Sequence, residues 1–115
     1  MQYDLSDRTR EFSKSMLRFL KQVKKDDLSK PLINQLIRSA TSVGANYCEA
    51  NGASSKKDFR NKIFICKKEI QETKYWIELL NEIILEKEKN SLRKLWKEAH
   101  ELTLIFNKIS SSLKN

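Results

Sequence analysis

Apolar side chains recur along the chain at alternating spacings of three and four residues, the period that lines up one face of an α-helix. The clearest run is Phe59, Ile63, Cys66, Ile70, Thr73, Ile77, Leu80 and Ile84, a sustained heptad seam. Leu92, Leu95, Ala99, Leu102, Phe106, Ile109 and Leu113 repeat it near the C-terminus. Leu5, Phe12, Met16, Phe19, Leu20 and Val23 mark an earlier stripe, and Leu32, Leu36, Ala40, Val43 and Tyr47 another. The spacing predicts four helices, over about residues 5–25, 30–50, 55–86 and 91–113. Asp4 or Ser6 can cap the first, Ser29 with Pro31 opens the second, and Ser55 with Asp58 forms a short-armed capping box for the third. Asn51-Gly52 is expected to close the second helix through a left-handed backbone.

No segment reads as a strand, and no internal repeat or domain linker interrupts the pattern. Connections as short as "KKDD" and "EKEKN" favour antiparallel neighbours, hence an all-α, up-down-up-down four-helix bundle in one domain. The third helix would be the longest, about 46 Å at 1.5 Å per residue. Its end, "YWIELLNEIIL", is apolar on two adjacent stripes, Trp76, Leu79 and Ile83 beside Ile77, Leu80 and Ile84. One seam covers one stripe; the second either broadens the core or faces another subunit, and self-association is the favoured reading. Tyr75 and Trp76 read as core, subunit interface or ligand-stacking pair, in that order; with Leu79 and Ile83 they are the interface candidates.

The chain has 115 residues with only two Gly and one Pro, which argues against sandwiches, barrels and loop-rich enzymes. No apolar run approaches the roughly 20 residues of a membrane span, and "MQYDLSDRTREF" is too polar for a signal peptide. Cys48 and Cys66 form no CxxC pair and read as reduced thiols of a cytoplasmic protein. The net charge of +8 suits phosphates in RNA, DNA or anionic lipid, although lysine-rich helices also simply keep proteins in solution.

Charge is concentrated. Lys56, Lys57, Arg60, Lys62, Lys67 and Lys68 are opposed only by Asp58, and Lys56, Arg60, Lys67 and Lys74 share one helical stripe. The first helix adds Arg8, Arg10, Lys14, Arg18 and Lys21. Were these helices adjacent, they would present one positive surface whose phosphate binding is salt-sensitive and nearly sequence-blind. No exposed aromatic platform is evident, so stacking on bases is not expected.

Catalytic chemistry finds little footing. His100 is the only histidine and Lys97 stands three residues before it, so the Glu-x-x-His motif of a di-iron bundle is missing. A nucleophilic triad would also need His100 and lacks a Gly-rich elbow. "GANYCEANG" lacks the Gly-Lys-Ser/Thr of a phosphate loop. The expectation is a non-enzymatic protein without metal or cofactor.

The segment "QLIRSATSVGANYCEANG" places Arg38, Asn46 and Glu49 among tiny side chains. Ser39, Ser42, Ala45, Asn46 and Glu49 share one side of the helix, where small residues let a neighbour approach closely. A buried charge survives only when paired, and Glu69 or Glu72 of the third helix suits Arg38. Arg38, Asn46, Glu49, Glu69 and Glu72 are therefore expected to form a structural polar cluster between the second and third helices.

These residues are also where a family resemblance lies. "QLIRSATSVGANYCEA", "ASSKKDFRNKI" and "KKEIQETKYWIELL" resemble the bacterial four helix bundle family, which includes proteins encoded within intervening sequences of large-subunit ribosomal RNA. The likeness runs from about Gln35 to Leu80. It carries Arg38, Ser39, Ser42, Asn46 and Glu49 onto the family's second helix, and Phe59, Lys68, Glu69, Glu72, Thr73, Tyr75 and Trp76 onto its third. The resemblance implies a left-handed antiparallel bundle, commonly a ring of five identical chains, with nucleic-acid binding proposed for its basic members. A similar protein serves as an accessory subunit of a retroelement reverse transcriptase. Where many members have Glu-Gly this chain has Glu49-Ala50, and Cys48 replaces a basic residue of some relatives. The leading expectation is an RNA- or DNA-binding accessory protein, and the competing one is a scaffold for a protein partner.

Overall fold

The computed structural model describes residues 4–114, and among them are four α-helices, one short 3₁₀ turn and no strand. The helices are α1 (Leu5–Gln22), α2 (Ser29–Asn51), α3 (Lys56–Leu80) and α4 (Lys89–Ser112), with the 3₁₀ turn at Glu86–Glu88. Their seams close on one core. Phe12, Met16, Leu36, Val43, Ile63, Ile70, Leu80, Leu92, Leu102 and Phe106 are each all but fully buried. α1 packs on α2 and α4, and α3 packs on α2 and α4, so α1 and α3 sit diagonally across the core.

The helix ends obey local chemistry. Asp4 caps α1 by accepting from the Asp7 N–H at 2.7 Å. Ser55 caps α3 by accepting from the Asp58 N–H at 3.0 Å, while the Asp58 carboxylate reaches the Ser54 N–H rather than that of Ser55. Several helix ends differ in detail from expectation. α1 stops at Gln22, not near residue 25: Val23 turns extended to stay in the core, and Lys25 Nζ folds back onto the Leu20 and Val23 carbonyls at 2.8 and 2.9 Å. Ser29 does not cap α2. Asp26 does, its Oδ1 accepting from the Leu28 and Ser29 N–H groups, and Ser29 Oγ instead donates to the Lys24 carbonyl at 2.6 Å. Those bonds to backbone N–H groups hold the Asp26 carboxyl below its ordinary pKa. Gly52 ends α2 at φ −100° and ψ 14°, without the left-handed turn expected of it.

The largest departure is at the end of α3. Tighter hydrogen bonds, from Glu82 N–H to the Leu79 carbonyl and from Ile83 N–H to the Leu80 carbonyl, wind the chain off the helix and turn Ile84 back towards the core. α2, α3 and α4 are consequently near equals of 23, 25 and 24 residues.

α1 and α2 approach closely at Gly44. A Cβ on Gly44 would sit 3.4 Å from the Thr9 carbonyl oxygen, and Ser13 Oγ bonds the Ala40 carbonyl of α2 at 3.2 Å. One methyl fits at such a distance and a longer side chain does not. Gly44→Ala is expected to leave the melting temperature unchanged or raised, since Ala is the better helix former by about 1 kcal/mol. Gly44→Leu is expected to lower stability by about 2 kcal/mol or more through overpacking. Thermal denaturation of the two variants checks this.

Candidate nucleic-acid interface

Two sets of charged residues need separate accounts: those that fasten helices together and those left facing water. Glu69 is 5% exposed on the inner side of α3. Its carboxylate accepts from Arg38 Nη1 of α2 at 2.8 Å, and the other guanidinium arm pairs with Glu72. Gln35 Oε1 accepts from Arg38 Nε at 3.0 Å and Trp76 Nε1 donates to Glu72 at 3.0 Å, so the whole grouping is oriented. Beside it, Thr73 Oγ1 donates to Ser39 Oγ at 3.0 Å inside the core. Arg38 itself remains 46% exposed, lying over the seam rather than within it.

The expected five-residue cluster is thus divided. Asn46 touches neither carboxylate; its Nδ2 donates to the Ser42 carbonyl of its own helix at 2.8 Å. Glu49 pairs instead with Lys62 at 2.7 Å, a hydrogen bond that raises the pKa of that lysine. Ala45 faces solvent and Ser42 bonds the Arg38 carbonyl of its own helix, whereas Ser39 of the same stripe is buried against Thr73 of α3. Cys66, on the same crossing, is buried with its thiol on the Val43 carbonyl; burial pushes its pKa up to about 12, which removes it as a nucleophile. Cys48 is exposed.

The basic residues also separate. α1 and α3 do not adjoin, so Arg8, Lys14 and Arg18 cannot extend the positive face of α3. Arg8 is engaged across the bundle, bound through Nε and Nη2 to Glu98 of α4 at 2.7 and 2.8 Å, which raises its pKa further. Arg18 pairs with Glu11 at 3.0 Å, and Lys14 is exposed. Lys74 leaves the expected stripe to face α4. Its ammonium lies 4.9 Å from the Trp96 ring centroid and donates to His100 Nδ1 at 3.0 Å, while the imidazole stacks on Trp96.

What remains is a compact set on the outer crest of α3. Lys56, Lys57, Arg60 and Lys68 are exposed and Lys67 is half-buried, none of them within salt-bridge reach of a carboxylate among the described residues. In their midst stands Phe64, 53% exposed, with Lys67 Nζ 5.8 Å from its ring centroid. This exposed aromatic contradicts the expectation of none. Its signal was present: Phe64 follows Ile63 of the seam by one position, and 100° of helical rotation turns it outward.

Of the apolar interface candidates, Tyr75, Leu79 and Ile83 face solvent, whereas Trp76 packs against the core and is half-buried. A cleft of about 730 Å³ opens between α1 and α4 over Phe12, Phe19 and Leu95, rimmed by Arg8, Lys94 and Glu98. Among the described residues no three His, Cys, Asp or Glu side chains are grouped to hold a metal ion, and no helix is long and apolar enough to cross a membrane.

A family model described as 23S rRNA-intervening sequence protein matches residues 1–108. A solved structure of a protein of unknown function from the S23 ribosomal protein family of Bacteroides thetaiotaomicron is similar at a TM-score of 0.76. It is 30% identical, over 93% of this chain and 98% of that one. No curated protein matches.

Removing the guanidinium would leave the Glu69 carboxylate buried without its partner. Arg38→Ala is therefore expected to cost about 2 kcal/mol, less than a fully buried pair because Arg38 is half in water. Adding Glu69→Gln should restore part of the loss, whereas Lys57→Ala should cost almost nothing. Denaturant unfolding of the three variants is the measurement.

Proposed function

Because the chain belongs to the 23S rRNA-intervening sequence protein family, we propose that it is a non-enzymatic, cytoplasmic accessory protein that binds RNA or DNA through the basic crest of α3. The observation carrying this reading is the contrast among its cations. Arg8, Arg10, Arg18, Arg38, Lys62 and Lys89 each meet a carboxylate, whereas Lys56, Lys57, Arg60, Lys67 and Lys68, grouped on one face of one helix, meet none among the described residues. The nearest acid, Asp58, turns its carboxylate to the Ser54 N–H. Unopposed cations spread along about 18 Å of one helix match the spacing of several consecutive phosphates.

Within this reading the bundle is up-down-up-down and left-handed. The order of cross-helix partners supports the alternation: Ser39 with Thr73 and Glu49 with Lys62 descend along α3 as they ascend along α2. Lys74 with His100 and Glu78 with Trp96 do the same between α3 and α4. The chain also self-associates, as a ring of five by the resemblance, through the exposed apolar ridge of Tyr75, Leu79 and Ile83. Repetition around a ring would multiply the basic crest and with it the avidity for a polyanion.

Two measurements test these statements. Fluorescence polarisation with mixed-sequence oligonucleotides should give a log affinity that falls linearly with log salt. Four neutralised phosphates correspond to a slope of about −4 on duplex and about −3 on single strands. The triple variant Lys57→Glu, Arg60→Glu, Lys68→Glu should abolish most binding and leave the melting temperature in place. Absence of binding at about 50 mM salt would instead favour a scaffold for a protein partner. Light scattering should return several times the 13.6 kDa of one chain, reduced towards it by Leu79→Glu with Ile83→Glu. A wild-type mass of one chain would remove the oligomer.

A further inference from the structure

We infer that the α3 crest is selective for unpaired nucleic acid, with Phe64 as the residue on which a base stacks. The inference rests on the nucleic-acid reading above and adds the class of strand. An isolated exposed aromatic needs no explanation in general. Phe64 is distinguished by what surrounds it.

On a helix, the side chains bordering a residue stand three, four and seven positions away. For Phe64 these include Lys57, Arg60, Asn61, Lys67, Lys68 and Gln71, so the ring is bordered by four cations and two amides, with no acid among them. Such a ring is poorly placed to bury itself against a second copy. That would bring eight like charges together in a setting from which lysine is ordinarily depleted. It is also no part of the core, at 53% exposed, and no neighbouring helix covers it. Lys67 Nζ near the ring centroid brings positive charge beside the π system, as a phosphate alongside a stacked base requires. A π face amid unopposed cations, on a rigid helix, is the combination by which single strands are held without sequence preference.

Duplex cannot use it equally. Paired bases present their faces only to each other, and exposing one requires it to leave the stack. Backbone charge alone would bind both forms through their phosphates, so Phe64 supplies the discrimination.

The test uses the full-length protein with one labelled oligonucleotide, presented as a single strand and as a duplex with its complement at fixed salt. The comparison covers the wild type, Phe64→Ala and Phe64→Trp. Phe64→Ala is expected to weaken single-strand binding about tenfold and to leave duplex binding unchanged, while Phe64→Trp retains the wild-type preference. The ring is outside the core, so thermal melting of Phe64→Ala should match the wild type and confirm that folding is intact. Equal losses on both forms, or no loss on either, would overturn the stacking role while leaving salt-dependent binding by the crest in force. Binding of polyglutamate with no binding of either oligonucleotide would overturn both this inference and the reading beneath it.

Discussion

A carboxylate drawn into a helix seam must meet a cation, and here the demand of Glu69 is answered by Arg38 from the neighbouring helix. That obligation sets the register of α2 on α3. Sliding the two helices by one turn, about 5.4 Å, would leave Glu69 buried and unmatched, and would separate Thr73 from Ser39 as well. Apolar seams alone tolerate such slips because methyl groups are nearly interchangeable partners. The polar contacts convert a greasy seam into a single alignment, and the outward placement of α3, including its basic crest, follows from it.

Seen this way the charged residues fall into two kinds of work. Glu98 and Glu101 hold Arg8, Glu49 holds Lys62, and Glu69 with Glu72 holds Arg38; each spans two helices and is occupied in doing so. The crest of α3 has no such assignment. Other exposed lysines, such as Lys14, Lys21, Lys94 and Lys97, are also without an ion pair among the described residues, but the crest of α3 groups five unpaired cations along one helix. An electrostatic field of one sign on a rigid, half-cylindrical surface concentrates polyanions by position as well as by charge.

Much of this was legible from residue order. The four-three spacing of Ile63, Cys66, Ile70, Thr73, Ile77 and Leu80 marks the buried side of α3 position by position, because helical geometry leaves it no alternative. An Arg38–Glu69 or Arg38–Glu72 bridge was legible too, and the guanidinium reaches both carboxylates. Adjacency was not. Nothing in a periodic pattern states that α1 lies diagonal to α3, so a shared positive surface was expected where none forms. Ion pairs such as Arg8–Glu98, 90 residues apart, share no local signal. Helix ends were misjudged where an apolar residue stays in contact with the core after the helix has stopped, Val23 beyond α1 and Ile84 beyond α3, because periodicity does not show where the backbone turns.

The four walls of the bundle are not equally joined. α1 presses its backbone on α2 at Gly44, yet faces α4 across the 730 Å³ cleft, with Arg8 and its two glutamates as the polar clasp. A panel held firmly on one edge and latched on the other swings about the firm edge. The α1–α4 edge is thus where the core, at Phe12 and Phe19, comes nearest to solvent.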